Sequence, residues 1–149
     1  MTFKEEVYNG YRDLLNEKVA DIERVLADLR ESGANETKST AGDKHETALA
    51  MLQIEQANKR QQLSELHATR VILNSINPMV SNKIISTGAL IQTNHGYFFL
   101  SAALGKVQLQ GATIIALSVN SPLGQQFQRH KPGDTFILNG KEYNIIEVA

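Results

Sequence analysis

The sequence contains no cysteine and no tryptophan, and only three prolines among its 149 residues. Without cysteine the chain has no disulfide, no thiol nucleophile and no cysteine-based zinc site, which fits a reducing compartment. No apolar run approaches the length of about 18 residues that is needed to cross a bilayer. The start MTFKEEVYNG lacks the basic and apolar parts of a signal peptide. We therefore expect a cytoplasmic protein without a membrane partner.

The chain also lacks a surplus of positive charge, since its formal net charge is −1. Stable binding to DNA normally needs a clear basic surplus, so this balance argues against it. The charge is unevenly divided: residues 1–77 carry 10 Lys/Arg and 13 Asp/Glu, whereas residues 78–149 carry 5 and 3. The division predicts two parts of different character.

Residues 1–77 show the spacing of two amphipathic helices. The first helix is predicted from about residue 8 to 29, and the second from about Glu46 to Ile76, before Pro78. Their apolar stripes, at steps of three and four, are Tyr8, Tyr11, Leu15, Val19, Ile22, Leu26 and Leu29, then Leu63, Leu66, Thr69, Leu73 and Ile76. Neither stripe is stable alone, so we predict an antiparallel coiled-coil hairpin over residues 1–77.

The register of this hairpin indicates where the chain reverses. Opposing Leu15 with Leu73, Ile22 with Leu66 and Leu26 with Leu63 puts the centre of symmetry near residue 44. Asp43 and Glu46 then lie at the tip. The hairpin is predicted to present an acidic end.

Residues 78–149 consist of short apolar runs that are separated by turn residues, which predicts strands. The runs are KIIS, GALIQT, GYFFLS, ATIIALSV, DTFIL and EYNIIEV. Asn139-Gly140 suits a type I′ turn between two of them. NSPLGQQFQR predicts a short helix with Ser121 as N-cap and Pro122 as the first helical residue. We expect an α+β chain in which a small antiparallel sheet packs on one short helix.

Two motifs resemble the bacterial GreA/GreB family of transcript cleavage (elongation) factors. GDKHETA, residues 42–48, is similar to a family tip motif of the form G-D-L-x-E-N-A, with Asp43 and Glu46 at its two acidic positions. SVNSPLGQQFQRHKPGDTFIL, residues 118–138, is similar to the family's C-terminal block. The resemblance implies a helical hairpin (1–77) followed by an FKBP-like, polymerase-docking domain (78–149).

The same resemblance implies a function. Such factors bind bacterial RNA polymerase and insert the hairpin into its secondary channel, where tip carboxylates help to hold a Mg²⁺ ion shared with the polymerase. The polymerase then cleaves backtracked RNA near its 3′ end. On this pattern Asp43 and Glu46 are the candidate catalytic and metal-binding residues, in the complex only, and the docking segment is Ser121, Pro122, Leu123 and Gly124. The protein is an accessory factor and not an enzyme by itself.

Alternatives remain open at this point. Asp43 and Glu46 also have the spacing of a capping box, in which both side chains bond backbone N–H groups at the start of a helix. After Glu46 the family's N-A-E-Y is replaced by Thr47-Ala48-Leu49-Ala50. This fits a polymerase-binding regulator without cleavage activity. A coiled-coil adaptor unrelated to transcription is a third hypothesis.

Overall fold

A computed structural model describes the backbone of residues 1–37 and 43–149, and the side chains of residues 1–34 and 46–149. Two long helices, α1 (Phe3–Thr37) and α2 (Asp43–Asn74), come before a sheet and a short helix, α3 (Pro122–Phe127). The strands are β1 (Leu90–Thr93), β2 (Gly96–Ser101), β3 (Gly105–Leu109), β4 (Ala112–Ser118), β5 (Thr135–Leu138) and β6 (Lys141–Val148). The α+β class and the long N-terminal helices are as predicted.

Helix α1 extends beyond its predicted bounds at both ends, whereas α2 begins earlier than predicted and ends at Asn74, two residues before its predicted end at Ile76. Helix α1 has 35 residues and begins after Thr2, whose hydroxyl accepts a hydrogen bond from the Glu5 N–H at 3.2 Å. Helix α2 begins at Asp43, three residues before its predicted start. The prediction followed the apolar stripe alone, and a stripe does not mark the polar first and last turns of a helix. Over its described residues, neither helix has an apolar stretch suited to a bilayer.

The chain forms two compact units that do not follow the order of the sequence. One unit contains Met1–Asp13 together with Thr69–Ala149, and the other contains Leu14–Ala68. We call the second unit the helical arm. The division of the chain into domains at residues 77 and 78 remains a prediction.

The six strands form one sheet in the order β3-β4-β2-β1-β6-β5. Neighbouring strands are antiparallel with one exception among the described residues: β2 and β4 are parallel, with Tyr97 opposite Ile114. The sheet is therefore mixed and not purely antiparallel as predicted. The reason is β3, which the sequence analysis missed. The chain goes from β2 to the edge strand β3 and then turns back, so that β4 lies between them.

The run KIIS, residues 83–86, is not a strand. Ile84 is 59% exposed, whereas Ile85 is buried and exchanges backbone hydrogen bonds with Arg129 and His130 at 3.0 and 2.8 Å. Ile85 therefore anchors a loop, and the run adds no strand to the sheet.

Two local predictions are confirmed. Asn139 and Gly140 both have positive φ, 52° and 76°, as a type I′ turn between β5 and β6 requires. Ser121 caps α3, since its hydroxyl accepts a hydrogen bond from the Gly124 N–H at 3.0 Å. Pro122 follows at the start of the helix.

The two faces of the sheet have different cores. On one face α3 contributes Phe127, whose ring lies 5.2 Å from Phe98 and 5.3 Å from Phe136 between ring centroids. On the other face the first turns of α1 place Tyr11 against Phe99, with ring centroids 5.8 Å apart. Phe98, Phe99 and Phe127 are buried, so β2 is covered on both sides. This double burial explains the continuous apolar run in its sequence.

Tyr11 is held at this interface by its hydroxyl group. The hydroxyl oxygen lies 2.8 Å from the Gly105 carbonyl oxygen and 3.0 Å from that of Ile114. Replacing Tyr11 with Phe leaves these carbonyl groups short of a donor, which we expect to lower the free energy of unfolding by about 1–3 kcal/mol. Urea unfolding measures this loss. Tyr8→Phe on the same helix is the control, and an equal loss in both variants would contradict the assignment.

The same hydroxyl predicts a pH effect. Burial raises the pKa of Tyr11 from 10.0 to about 12. Because the folded pKa lies above the unfolded one, the contribution is complete below about pH 10 and is lost as the pH rises towards 12. The stability difference between wild type and Tyr11→Phe should therefore shrink between about pH 8 and about pH 11. A constant difference over this range would disagree with the burial of this phenol.

Candidate functional site

The predicted acidic residues lie at the start of α2. Asp43 is the first residue of the helix, and Glu46 follows three positions later, so the two positions lie on the same face of the helix. The Glu46 side chain is exposed. The structure describes no hydrogen bond or ion pair for it among residues 1–34 and 46–149. The side chain of Asp43 and residues 38–42 lie outside the described part of the chain.

This position favours charged carboxylates whichever role they have. The N-terminus of a helix carries partial positive charge from its free N–H groups, which stabilises an ionised acid there. An ionised carboxylate is also what Mg²⁺ prefers as a ligand. Two carboxylates are fewer than a complete site, and no cluster of three potential ligands occurs among the described residues.

Helices α1 and α2 meet in the arm through an apolar seam that two polar residues of α2 interrupt. Leu15, Val19, Leu26 and Leu29 of α1 are buried there. On α2 the half-buried positions repeat at steps of three and four, and they are Leu49, Leu52, Gln56, Lys59, Leu63 and Leu66. A Cβ atom on Gly33 would lie 3.8 Å from Gln56 Nε2, which fits the predicted register. The seam therefore contains an amide and an ammonium in its middle.

Lys59 is half-buried in this seam, while Arg60 beside it is exposed. The heptad spacing of the leucines on α2 indicates this position, because the same spacing continues through Gln56 and Lys59. We expect Lys59→Leu to stabilise the arm by about 1–2 kcal/mol, because the new side chain buries apolar surface in the seam.

Urea unfolding followed by helical circular dichroism measures this change. Arg60→Leu is the matched control and should stay within about 0.5 kcal/mol of wild type. Equal stabilisation by both substitutions would show that the seam does not distinguish the two positions.

The predicted docking segment lies at the start of α3. Pro122 is exposed, Ser121 and Leu123 are half-buried, and Gly124 is buried. The Ser121 hydroxyl also donates to the Ser118 carbonyl at 2.7 Å, so the segment is fixed at both ends. Gly124 is buried beneath the surface of this turn. Pro122 is the most exposed of the four residues and is therefore the most accessible to a partner.

Two of the described histidines, His95 and His130, have local structural contacts. His95 Nε2 lies 2.8 Å from the Glu142 carbonyl oxygen, and His130 Nδ1 lies 3.3 Å from Asp134 Oδ2. The pKa of Asp134 is lowered, chiefly because the Lys131 N–H donates to its carboxylate. The contacts of His130 and Lys131 with Asp134 close the turn between α3 and β5. The side chain of His45, between the two acidic residues, lies outside the described part of the chain.

The chain was compared with family models, curated proteins and solved structures. No family model matches the chain, and no curated protein matches it significantly. A solved structure described as "Structure of the transcription factor Gfh1" is similar to 93% of this chain over 92% of its own, at 16% sequence identity and a TM-score of 0.37. At this identity and score the likeness concerns the fold alone and assigns no function.

Proposed function

We propose that this protein is a cytoplasmic bacterial transcription elongation factor that binds RNA polymerase and stimulates cleavage of backtracked RNA. The observation that carries the proposal is the position of Asp43 and Glu46 at the first turn of α2, with Glu46 exposed to solvent. The arm supplies a narrow support for this pair. The sequence resemblance to the GreA/GreB factors supports bacterial RNA polymerase as the partner that Asp43 and Glu46 act on.

In this proposal the arm enters the secondary channel of the polymerase and brings the two carboxylates to the active site. A shared Mg²⁺ ion supplies the charge that activates water and stabilises the leaving oxygen of the RNA. Asp43 and Glu46 contribute oxygen ligands and negative charge, and the N-terminus of a helix favours negative charge. The protein supplies ligands to another enzyme and performs no reaction by itself.

The segment from Ser121 to Gly124 is the proposed contact with the polymerase outside the channel. It is rigid, because the Ser121 side chain bonds both the Ser118 carbonyl and the Gly124 N–H. A fixed turn with an exposed proline loses little conformational freedom when it binds, which favours its use as a docking surface.

A second candidate is a polymerase-binding regulator without cleavage activity. It is favoured by the residues that follow Glu46, where Ala48 and Leu49 are half-buried in the arm and present no further polar group. The adaptor hypothesis rests on Met51 and Ile54 of α2, which are 65% and 60% exposed and could contact another helix. All three candidates share the fold and differ in what the arm binds.

One experiment separates them. The full-length protein is added to purified, backtracked bacterial elongation complexes, and the length of the RNA is followed with time. Shortening of the RNA supports the cleavage factor. Binding to the complex without shortening supports the regulator, and absence of binding leaves the adaptor.

A further inference from the structure

Lys4 is a buried lysine in the first turn of α1. It is 7% exposed, and its Nζ donates a hydrogen bond to the Val80 carbonyl oxygen at 2.6 Å. An ammonium group has three N–H donors, so this single bond leaves donors to spare. No carboxylate forms an ion pair with it in the part of the chain that the structure describes. We propose that Lys4 binds a small oxyanion in the cavity beside it.

The position of Lys4 is electrostatically unfavourable without such a partner. Burial removes the ammonium from water and lowers its pKa. The partial positive charge at the start of a helix opposes a cation there as well. An anion at this place would interact favourably with both the lysine and the helix end. The arrangement thus resembles a binding site more than a stabilising contact.

The cavity has the polar lining that an oxyanion requires. Its volume is about 180 Å³, and since a water molecule takes about 30 Å³ of liquid, it has room for a phosphate or carboxylate group. Hydroxyl and amide side chains line it around Lys4, namely Ser75, Asn77, Asn82, Ser86 and Thr87. The backbone of Ala149 lines it too and is paired with Leu90.

Lys4 also lines a second cavity, which is less suitable for binding an anion. It is larger, about 440 Å³, but Glu147 lines it and would repel an anion. The acidic residues next to Lys4 on α1, Glu5 and Glu6, line neither cavity. Glu6 is bonded to Gln110. Lys4 and Ala149 line both cavities, and the acidic side chain of Glu147 lines the larger one only.

The test is a titration of the full-length protein with inorganic phosphate at constant ionic strength, followed by NMR. We expect saturable shifts of the Ser86 and Thr87 amide signals and of the Lys4 Cε signal, together with a rise in the Lys4 pKa. Lys4→Met should lose at least about nine tenths of the amide shifts. Lys4→Arg should keep them in part, because it keeps the charge. Acetate in a parallel titration distinguishes a phosphate ligand from a carboxylate.

Lys83→Met is the matched control, since Lys83 is an exposed lysine that follows Asn82, one of the residues lining the cavity. It should bind phosphate as wild type does. Equal amide shifts in wild type and Lys4→Met, or no saturable shift in wild type with either anion, would overturn the proposal. The Lys4 Cε signal of wild type decides the question even if Lys4→Met does not fold. A shift that does not saturate counts against a site.

Discussion

Glu46→Gln is expected to bind RNA polymerase like wild type but to stimulate RNA cleavage about 10- to 100-fold less, the range found when groups that support a catalytic metal are removed. The substitution keeps the size of the side chain and removes its charge. Because Glu46 is exposed and has no described partner, the fold should not change. In the proposed mechanism the carboxylates of Asp43 and Glu46 bind the same Mg²⁺ ion. Asp43→Asn should therefore have a similar effect.

Glu55→Gln is the control for charge alone. Glu55 is exposed on the same helix and lies nine residues after Glu46. Cleavage rates in backtracked complexes, measured at saturating factor, should fall for Glu46→Gln and stay unchanged for Glu55→Gln. Equal rates for all three proteins would remove the carboxylate from the mechanism and favour the regulator.

Gly124→Ala is expected to cause the largest loss of stability. A Cβ atom on Gly124 would lie 2.1 Å from the Ser118 carbonyl oxygen and 2.8 Å from Ser121 Oγ. The backbone must move to avoid these contacts, which costs about 1–3 kcal/mol, and breaking the cap of α3 adds about 1 kcal/mol. We therefore expect a total loss of about 3 kcal/mol and weaker binding to the polymerase.

Urea unfolding of the variant measures the loss, and near-ultraviolet circular dichroism reports the packing of Phe127 and its aromatic neighbours. Gln126→Ala, an exposed change in the same helix, should stay within about 0.5 kcal/mol of wild type. If Gly124→Ala is as stable as Gln126→Ala, then the turn does not need a glycine.

Local chemistry explains which parts of the fold are predictable. Asn139-Gly140 and the Ser121 cap are determined by residues next to each other, and both are confirmed. Strand β3 was missed because it is an edge strand with two apolar residues, Val107 and Leu109, between polar ones. The parallel pairing of β2 with β4 depends on that strand. Missing this one edge strand therefore made the predicted topology of the sheet wrong.

The candidate site divides in the same way. The positions of Asp43 and Glu46 at the start of a helix follow from their sequence, and so does the exposure of a glutamate there. The choice between a cap and a metal ligand depends on side-chain geometry that no sequence pattern contains. The half-burial of Lys59 agrees with the heptad spacing of the seam, which continues through polar positions between the leucines.

The absence of cysteine allows a direct test of the central claim that the first turn of α2 reaches the polymerase active site. A single cysteine at position 46 carries a photoactivated crosslinker, and the backtracked RNA is labelled at its 3′ end. The control is Glu23→Cys, an exposed position on α1. In the predicted register residue 23 lies opposite residue 66, which is about 30 Å along α2 from residue 46. The account predicts that position 46 crosslinks to the RNA 3′ end and position 23 does not. Crosslinking from position 23 alone, or from neither position in a complex that contains the bound protein, would contradict it.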